Sequence, residues 1–168
     1  MANGFVVNAN RFDPYKNFKF RVLLEGRIVM GVSKVGALKR STEVVTYRSG
    51  GDNSIDFKSP GRTKYDDVTL ERGLTHDKEF EKWAAAVHTF GSDAATDLRN
   101  YKKALTVEMM NLRNQPAIRY FLHDCWPSSY TAMADLSASE NAVLIENLTL
   151  SVGGWERDFD LAEPDESA

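Results

Sequence analysis

Between Asp66 and Gly91 the chain changes its hydrophobic period once, and that change constrains the fold more than any motif does. In DDVTLERG, Val68 and Leu70 point one way while Asp67, Thr69 and Glu71 point the other. This is the period-2 alternation of a half-buried strand, which Gly73 ends. Directly afterwards Phe80, Trp83, Ala84, Val87 and Phe90 recur at helical spacing, one apolar stripe opposite Lys78, Glu81, Lys82, Ala85 and His88. Thr75 is placed to cap this helix, Asp77 and Glu79 suit the positive end of its dipole, and Gly91 stands where a left-handed C-cap is wanted. Lys78 occupies the position where a capping box would have Glu or Gln. A stripe of this kind needs a sheet or a neighbour to cover it.

The rest of the chain reads as strand and loop. From Lys16 to Glu25, Phe18, Phe20, Val22 and Leu24 alternate with Lys19, Arg21 and Glu25, Leu23 being the exception. Gly26-Arg27 reads as a two-residue connection into a strand from Ile28 to Val35, and a third strand covers Thr42 to Arg48. The polar, glycine-rich stretch from Ser49 to Lys64 reads as a long loop, a kind that is uncommon in compact domains unless functional. After a polar connection, a strand starts at Ala104, and Arg113-Asn114-Gln115-Pro116 punctuates a hairpin into Ala117 to Asp124, closed by Trp126-Pro127. A turn-rich stretch from Ser128 to Asn141 precedes a last strand, Ala142 to Val152, where Leu144, Leu148, Leu150 and Val152 share a face that Glu146 interrupts. The fold class implied is α+β, mainly β: an antiparallel β-barrel or sandwich with one flanking helix.

At 168 residues the chain is expected to form one domain, with an N-terminal arm over residues 1–13. No apolar run approaches the roughly 18 residues of a membrane span, so no membrane insertion is expected. MANGFVVNANRF has neither the basic region nor the apolar segment of a secretory signal, which points to synthesis in the cytoplasm. Cys125 is the single cysteine, which excludes an intrachain disulfide and a Cys-based zinc cluster and reads as a buried thiol. The net charge of −3 is unevenly placed: from Glu156 to Ala168 six acids stand against Arg157, a net −5, leaving +2 for the body. That block reads as a solvated acidic tail over residues 156–168. The scattered basic residues Lys19, Arg21, Lys39, Arg40, Lys102 and Lys103 form no nucleic-acid footprint.

No chemistry-bearing constellation emerges. His76, His88 and His123 lack partners at metal-ligand spacing, and the HExxH, CxxC, GxSxG and P-loop patterns are absent. Asp66, Asp67 and Glu71 lie on a strand whose neighbours point to opposite faces, which works against a shared acid/base site. Phe80, Trp83 and Trp126 read as core anchors. No catalytic, cofactor-binding or metal-binding residue is therefore assigned and no cofactor is expected. The unusual features, a long loop and two polar termini, sit where subunits could engage one another, which points to a structural, self-assembling role.

Three segments carry a resemblance: DPYKNFKFRVLLEGRIVMGVSKVGAL, LERGLTHDKEFEKW, and YFLHDCWPSSYTAMADLSASENAVLIENLTLSVGGWER. In this order and spacing the chain resembles the tail tube protein family of contractile bacteriophages, most closely the inner-tube proteins of extracellular contractile injection systems. It is also similar in architecture to the haemolysin-coregulated tube protein of type VI secretion. The resemblance implies six copies in a ring and rings stacked into a hollow tube, with sheath, baseplate and spike proteins as partners and a cargo effector or phage DNA in the lumen. It further implies that the loop, in particular Ser49, Gly50, Gly51, Asp52, Asn53, Ser54, Ile55, Asp56, Phe57 and Lys58, reaches the adjoining ring. The stripe of Phe80, Trp83, Ala84, Val87 and Phe90 would cap the barrel and pack against neighbours. The acidic tail past Arg157 is not part of the pattern. A tube-initiator paralogue at the baseplate is equally compatible with it, and a monomeric β-barrel binding a small ligand is the alternative from a different class.

Overall fold

The computed structural model describes residues 15–29, 31–51, 55–88 and 100–164. Among these are ten strands and one helix: β1 (Phe20–Leu24), β2 (Arg27–Val29), β3 (Val32–Val35), β4 (Arg40–Tyr47), β5 (Phe57–Tyr65), β6 (Val68–Gly73), α1 (Glu79–Val87), β7 (Lys103–Met110), β8 (Pro116–Thr131), β9 (Ile145–Ser151) and β10 (Gly154–Arg157). The fold class is the expected one, mainly β with antiparallel pairing throughout. The main sheet runs β2-β1-β7-β8-β9-β6-β3, with β10 on the free side of β8, and β4-β5 form a separate pair.

Strand β8 is what folds this one sheet into two facing layers. Its first part pairs with β7 and β10, its last part with β9, and Asp124, at φ 51°, lies where it passes from one to the other. The expected stop at Trp126-Pro127 is therefore wrong: the strand runs through it to Thr131. Proline is tolerated there because the ladder is bulged between Pro127 and Ser129, and only β9 pairs this part of β8 among the described residues. The expected strand from Ile28 to Val35 is likewise two strands. Gly31, at φ 79°, lies between β2, which pairs with β1, and β3, which pairs with β6, so the chain crosses here from one layer to the other. The first hairpin turns one residue earlier than expected. Leu24 faces Arg27, and Glu25 and Gly26 hold φ of 50° and 82°, the double positive φ of the tight turn that matches strand twist.

The inner faces of the two layers bury Val22, Leu24, Leu105, Val107 and Leu122 against Val68, Leu70, Leu148 and Leu150. Helix α1 adds Phe80 and Trp83 to the same core, and the Trp83 indole donates to the Tyr101 carbonyl at 2.7 Å. Thr75 does not cap the helix. The N-cap position is Lys78, which makes no side-chain cap; Thr75 accepts a hydrogen bond from the Asp77 amide, and the Asp77 carboxylate, one residue before the N-cap, accepts from the Glu79 amide. The Glu79 amide is the largest influence holding the Asp77 carboxyl below its ordinary value; Arg72 adds to it, against the opposing effect of burial. Gly91 and Phe90 lie outside the described residues.

One ionic cluster is buried beside the core, and a second ties strands together across an outer face. Glu146, the residue that interrupted the last apolar strand face, is paired with Arg72 of β6, both 2% exposed or less, and accepts from the Tyr130 hydroxyl at 2.9 Å. Burial first, and the Glu146 carboxylate second, push that hydroxyl up to about 12. Arg72 also donates to the Asp77 carboxylate at 2.9 Å and stacks over Phe80 at 4.1 Å, tying strand to helix. In the other layer Glu108 is paired with Arg21 and, at 2.7 Å, with Arg119, which reaches Asp158 at 3.1 Å. Burial alone would push the Glu108 carboxyl up, but the two arginines outweigh it and hold it below its ordinary value of 4.5. Glu108 then stabilises the fold fully above that value, and the contribution is lost as pH falls through the lower folded value. In acid titration followed by tryptophan fluorescence, Glu108→Gln is expected to lose part of the pH dependence that the unaltered chain shows below about 4.5.

Asp158 also corrects the boundary of the acidic tail. The stretch read as starting at Glu156 begins inside β10, where Glu156 faces Phe121 and Arg157 faces Tyr120, and Glu163 accepts from the Tyr15 hydroxyl at 2.8 Å.

Candidate functional site

The stretch from Ser49 to Lys64 is not a long loop. Its second half, including Phe57 and Lys58, is strand β5, which pairs with β4 in a two-stranded hairpin. Pro60 and Gly61 hide this strand from a propensity reading; both are tolerated because the hairpin is bulged opposite them, between Thr42 and Val44. The hairpin continues the β3-β6 pair beyond the end of the layered core, since β3 leads through residues 36–39 into β4 and β5 leads through Asp66-Asp67 into β6.

Its root is firmly held. The Gly36 amide donates to Thr69 at 2.7 Å and the Asp66 amide to Lys39 at 3.0 Å. A Cβ on Gly36 would stand 3.0 Å from the Thr69 backbone nitrogen, tighter than ordinary contact, so the close approach favours glycine. Trp155 of β10 packs edge-on against Tyr65 at 5.8 Å and lies under the Arg40 guanidinium at 5.7 Å.

Beyond the root, none of the described residues covers strand β4. Every residue of β4 is exposed. Tyr47 lies opposite Phe57 with rings stacked at 5.5 Å, and Val45 shares their face; Val45, Tyr47 and Phe57 are 48%, 55% and 40% exposed. Val44 and Pro60 face each other on the opposite side. An isolated two-stranded ribbon is marginal in water, and this one exposes aromatic and branched side chains that a partner would desolvate. Near its tip Arg48 and Asp56 form an ion pair, Ser49, Gly50, Gly51 and Ile55 are exposed, and Asp52, Asn53 and Ser54 lie outside the described residues. Val44, Val45 and Tyr47 were not among the residues expected to matter, because their alternation read as an ordinary half-buried strand. The signal available was that β-branched and aromatic residues occupy both of its faces.

In the helix stripe, Phe80 and Trp83 are buried, Ala84 packs partly against the core and Val87 is half-buried. Cys125 is fully buried, and burial pushes its thiol up to about 12. His76 and His88 are exposed, and His123 lies 3.0 Å from Glu156. Among the described residues no group of three or more His, Cys, Asp or Glu side chains is placed to hold a metal ion, and no helix is long and apolar enough to cross a membrane. An apolar cleft of about 560 Å³ opens at the margin between the layers, lined by Phe20, Leu38, Val107, Met109, Tyr120 and Trp155 among others. Aromatic and aliphatic side chains, not convergent polar groups, dominate it.

Residues 16–156 match the family described as T4-like virus tail tube protein gp19. The chain belongs to that family. No curated protein sequence matches the gp19-family chain. Among solved structures, it is similar to a chain of the sheath-tube complex of an extracellular contractile injection system, PVC, in the extended state, with 20% identity, a TM-score of 0.72, and coverage of 86% of this chain and 91% of that one. It is similar also to a chain of the PVC sheath/tube terminator, with 20% identity, a TM-score of 0.73, and coverage of 88% and 98%. Hcp1 from Flavobacterium johnsoniae shares the fold at 16% identity and a TM-score of 0.54, covering 83% of this chain and 94% of that one. The family is described as a tail tube protein, and its match over residues 16–156 spans the hairpin as well as the layered core.

Proposed function

We propose that this chain is a structural subunit of the inner tube of a contractile injection system, six copies to a ring and rings stacked around a lumen for cargo. The observation that carries the reading is the hairpin over residues 40–65: a separate two-stranded ribbon leading out of β3 and into β6, anchored at its root and, among the described residues, exposed along β4. A second copy is the occupant that fits it. The hairpin carries five basic residues against three acidic ones, while the segment from Glu156 to Glu166 is net −5, so its polar fringe and that segment are complementary in charge.

Two strand edges support ring closure. β3 pairs only with β6, and the last part of β8 pairs only with β9 among the described residues, which leaves both edges of one layer open to strands of neighbouring copies. The half-buried Val87 and Ala84 add a helix surface for the same contacts. Sheath and baseplate proteins are the outer partners, a spike protein closes the tip, and an effector or DNA occupies the lumen; the subunit itself catalyses nothing. Likeness to a tube terminator favours a tube-end position as the second reading. Negative-stain microscopy of the purified protein, alone and with its sheath and baseplate proteins, tests both. Stacked rings of open-ended length support the main tube subunit, single capped rings the tube-end position, and persistent monomers at high concentration defeat both.

A further inference from the structure

Among the described residues fourteen large apolar side chains stand exposed, and ten of them fall into two groups. Val44, Val45, Tyr47, Ile55 and Phe57 are on the hairpin over residues 40–65. Leu74, Met133, Leu136, Val143 and Leu144 lie at the connection from β8 to β9, residues 132–144, and beside it. The other four, Phe18, Ile28, Leu112 and Phe159, are scattered over β2 and the chain next to β1, β7 and β10. Single exposed apolar residues are ordinary, whereas a contiguous group marks a contact surface.

The second group forms a hollow. The Leu74 amide donates to the Leu144 carbonyl at 2.9 Å, which ties the chain after β6 to the chain before β9. A turn at Ala138-Ser139 is closed by the Glu140 amide donating to the Ser137 carbonyl at 3.4 Å, and the Ser137 and Ser139 hydroxyls lie 2.9 Å apart. Leu136, Ala138, Ala142, Val143 and Leu144 line an open cleft of about 530 Å³ here, with Ser137 and Glu140 as its polar members. The cleft and the hairpin stand at opposite ends of one layer. The β6-β9 ladder runs from Gly73 opposite Ile145, beside the cleft, to Val68 opposite Leu150, where the hairpin joins. These ends are about 17 Å apart at roughly 3.4 Å per residue. Their charges are opposite too. The hairpin's five basic and three acidic residues leave it at net +2, and residues 132–144 carry Asp135 and Glu140 with no basic residue, a net −2.

We propose that the apolar cleft of residues 132–144 is the seat for the hairpin of a second copy in the adjoining ring, so that one copy stands on the next in the same orientation. The inference rests on the ring-forming reading above and adds the surface on which the hairpin lands. A contact between two different patches at opposite ends of a subunit is heterologous. It leaves one free hairpin and one free cleft after every addition, and so repeats along an axis instead of closing on a pair. Tyr47 and Phe57, stacked at 5.5 Å, supply the aromatic side of the contact, and the aliphatic lining of the cleft supplies the other, both losing water when they meet. The charges fix the orientation. Two hairpins would meet as +2 against +2 and two clefts as −2 against −2, so only the head-to-tail arrangement brings opposite signs together. The cleft lined by Phe20, Leu38 and Trp155 lies beside the hairpin's own root, where a copy stacked in this orientation does not bring its hairpin.

Cross-linking of assembled tubes tests the seat. The native Cys125 is fully buried, so the unaltered chain supplies a silent background. A variant carrying Ile55→Cys and Ala138→Cys, which leaves Tyr47 and Phe57 in place, is assembled, treated with a short flexible bis-maleimide, dissolved in denaturant and separated by size. The expected result is a ladder of linked chains that continues past six, with neither single-cysteine variant going beyond a dimer. A ladder that ends at six would place the contact within a ring, and tubes without a ladder would place the hairpin elsewhere; either overturns the seat while leaving the tube subunit intact. Charge reversal tests it without cysteines. Lys58, Arg62, Asp135 and Glu140 are all exposed, and each reversal moves the charge by two. Lys58→Glu with Arg62→Glu therefore takes the hairpin from +2 to −2, and Asp135→Lys with Glu140→Lys takes the loop from −2 to +2. Each pair alone is expected to stop tube growth and the four together to restore it. Growth unchanged by either pair, or not restored by the four, overturns the seat. Failure of the unaltered chain to form tubes would instead remove the ring reading and the seat with it.

Discussion

Arg72→Met is expected to lower the folding stability of the dissociated subunit by about 3–5 kcal/mol, the usual cost of removing one partner of a buried ion pair. Glu146 is 2% exposed, and without Arg72 its carboxylate keeps, among the described residues, the Tyr130 hydroxyl as its hydrogen-bond partner. The loss extends beyond the pair, because Arg72 also donates to the Asp77 carboxylate and carbonyl and stacks over Phe80. Helix α1 should therefore loosen along with β6 and β9. Guanidinium unfolding followed by fluorescence and by helical circular dichroism measures both. The companion variant Arg72→Met with Glu146→Leu is expected to recover most of the loss, since a well-packed apolar replacement of a buried pair is often close to neutral. A single variant as stable as the unaltered chain would mean that water already solvates the pair.

This cluster shows what was legible in the sequence and what was not. Glu146 was visible as a polar break in an apolar face, yet nothing local identified Arg72, 74 positions earlier, as its partner. The pairing exists only because β6 and β9 are neighbours in register, with Arg72 opposite Glu146. Strand interiors and the helix stripe could be read because period is a local property. Sheet changes could not: the bend in β8 at Asp124 and the crossover at Gly31 depend on which strand lies alongside, and β8 continued through a proline that ordinarily ends a strand. The stretch from Ser49 to Lys64 was singled out for its length and polarity, and it does lead to the candidate site. Its strand character escaped because Pro60 and Gly61 lower strand propensity exactly where a bulge makes both acceptable, and so the apolar face it builds with Val45 and Tyr47 was missed.

That face leads to the second large effect. Tyr47→Ser combined with Phe57→Ser is expected to abolish tube growth while leaving the subunit folded. Neither ring belongs to the core cluster, and every residue of β4 is exposed, so the layered domain loses little when they are removed. In an assembled tube the balance reverses. An aromatic side chain buries roughly 150–250 Å² in full. About half of that is still exposed here, so covering both rings contributes about 4–6 kcal/mol per contact at ~25 cal/mol per Å². Losing it weakens each subunit's association by about three to four powers of ten. Repetition around the proposed ring would make growth steeper still, because every added subunit loses the same contact. Unfolding midpoints and tube lengths measured on the same preparations separate the two effects. A normal midpoint with no tubes is the expected pair of results, and tubes of ordinary length would show that the stacked rings at 5.5 Å serve only the hairpin's own stability.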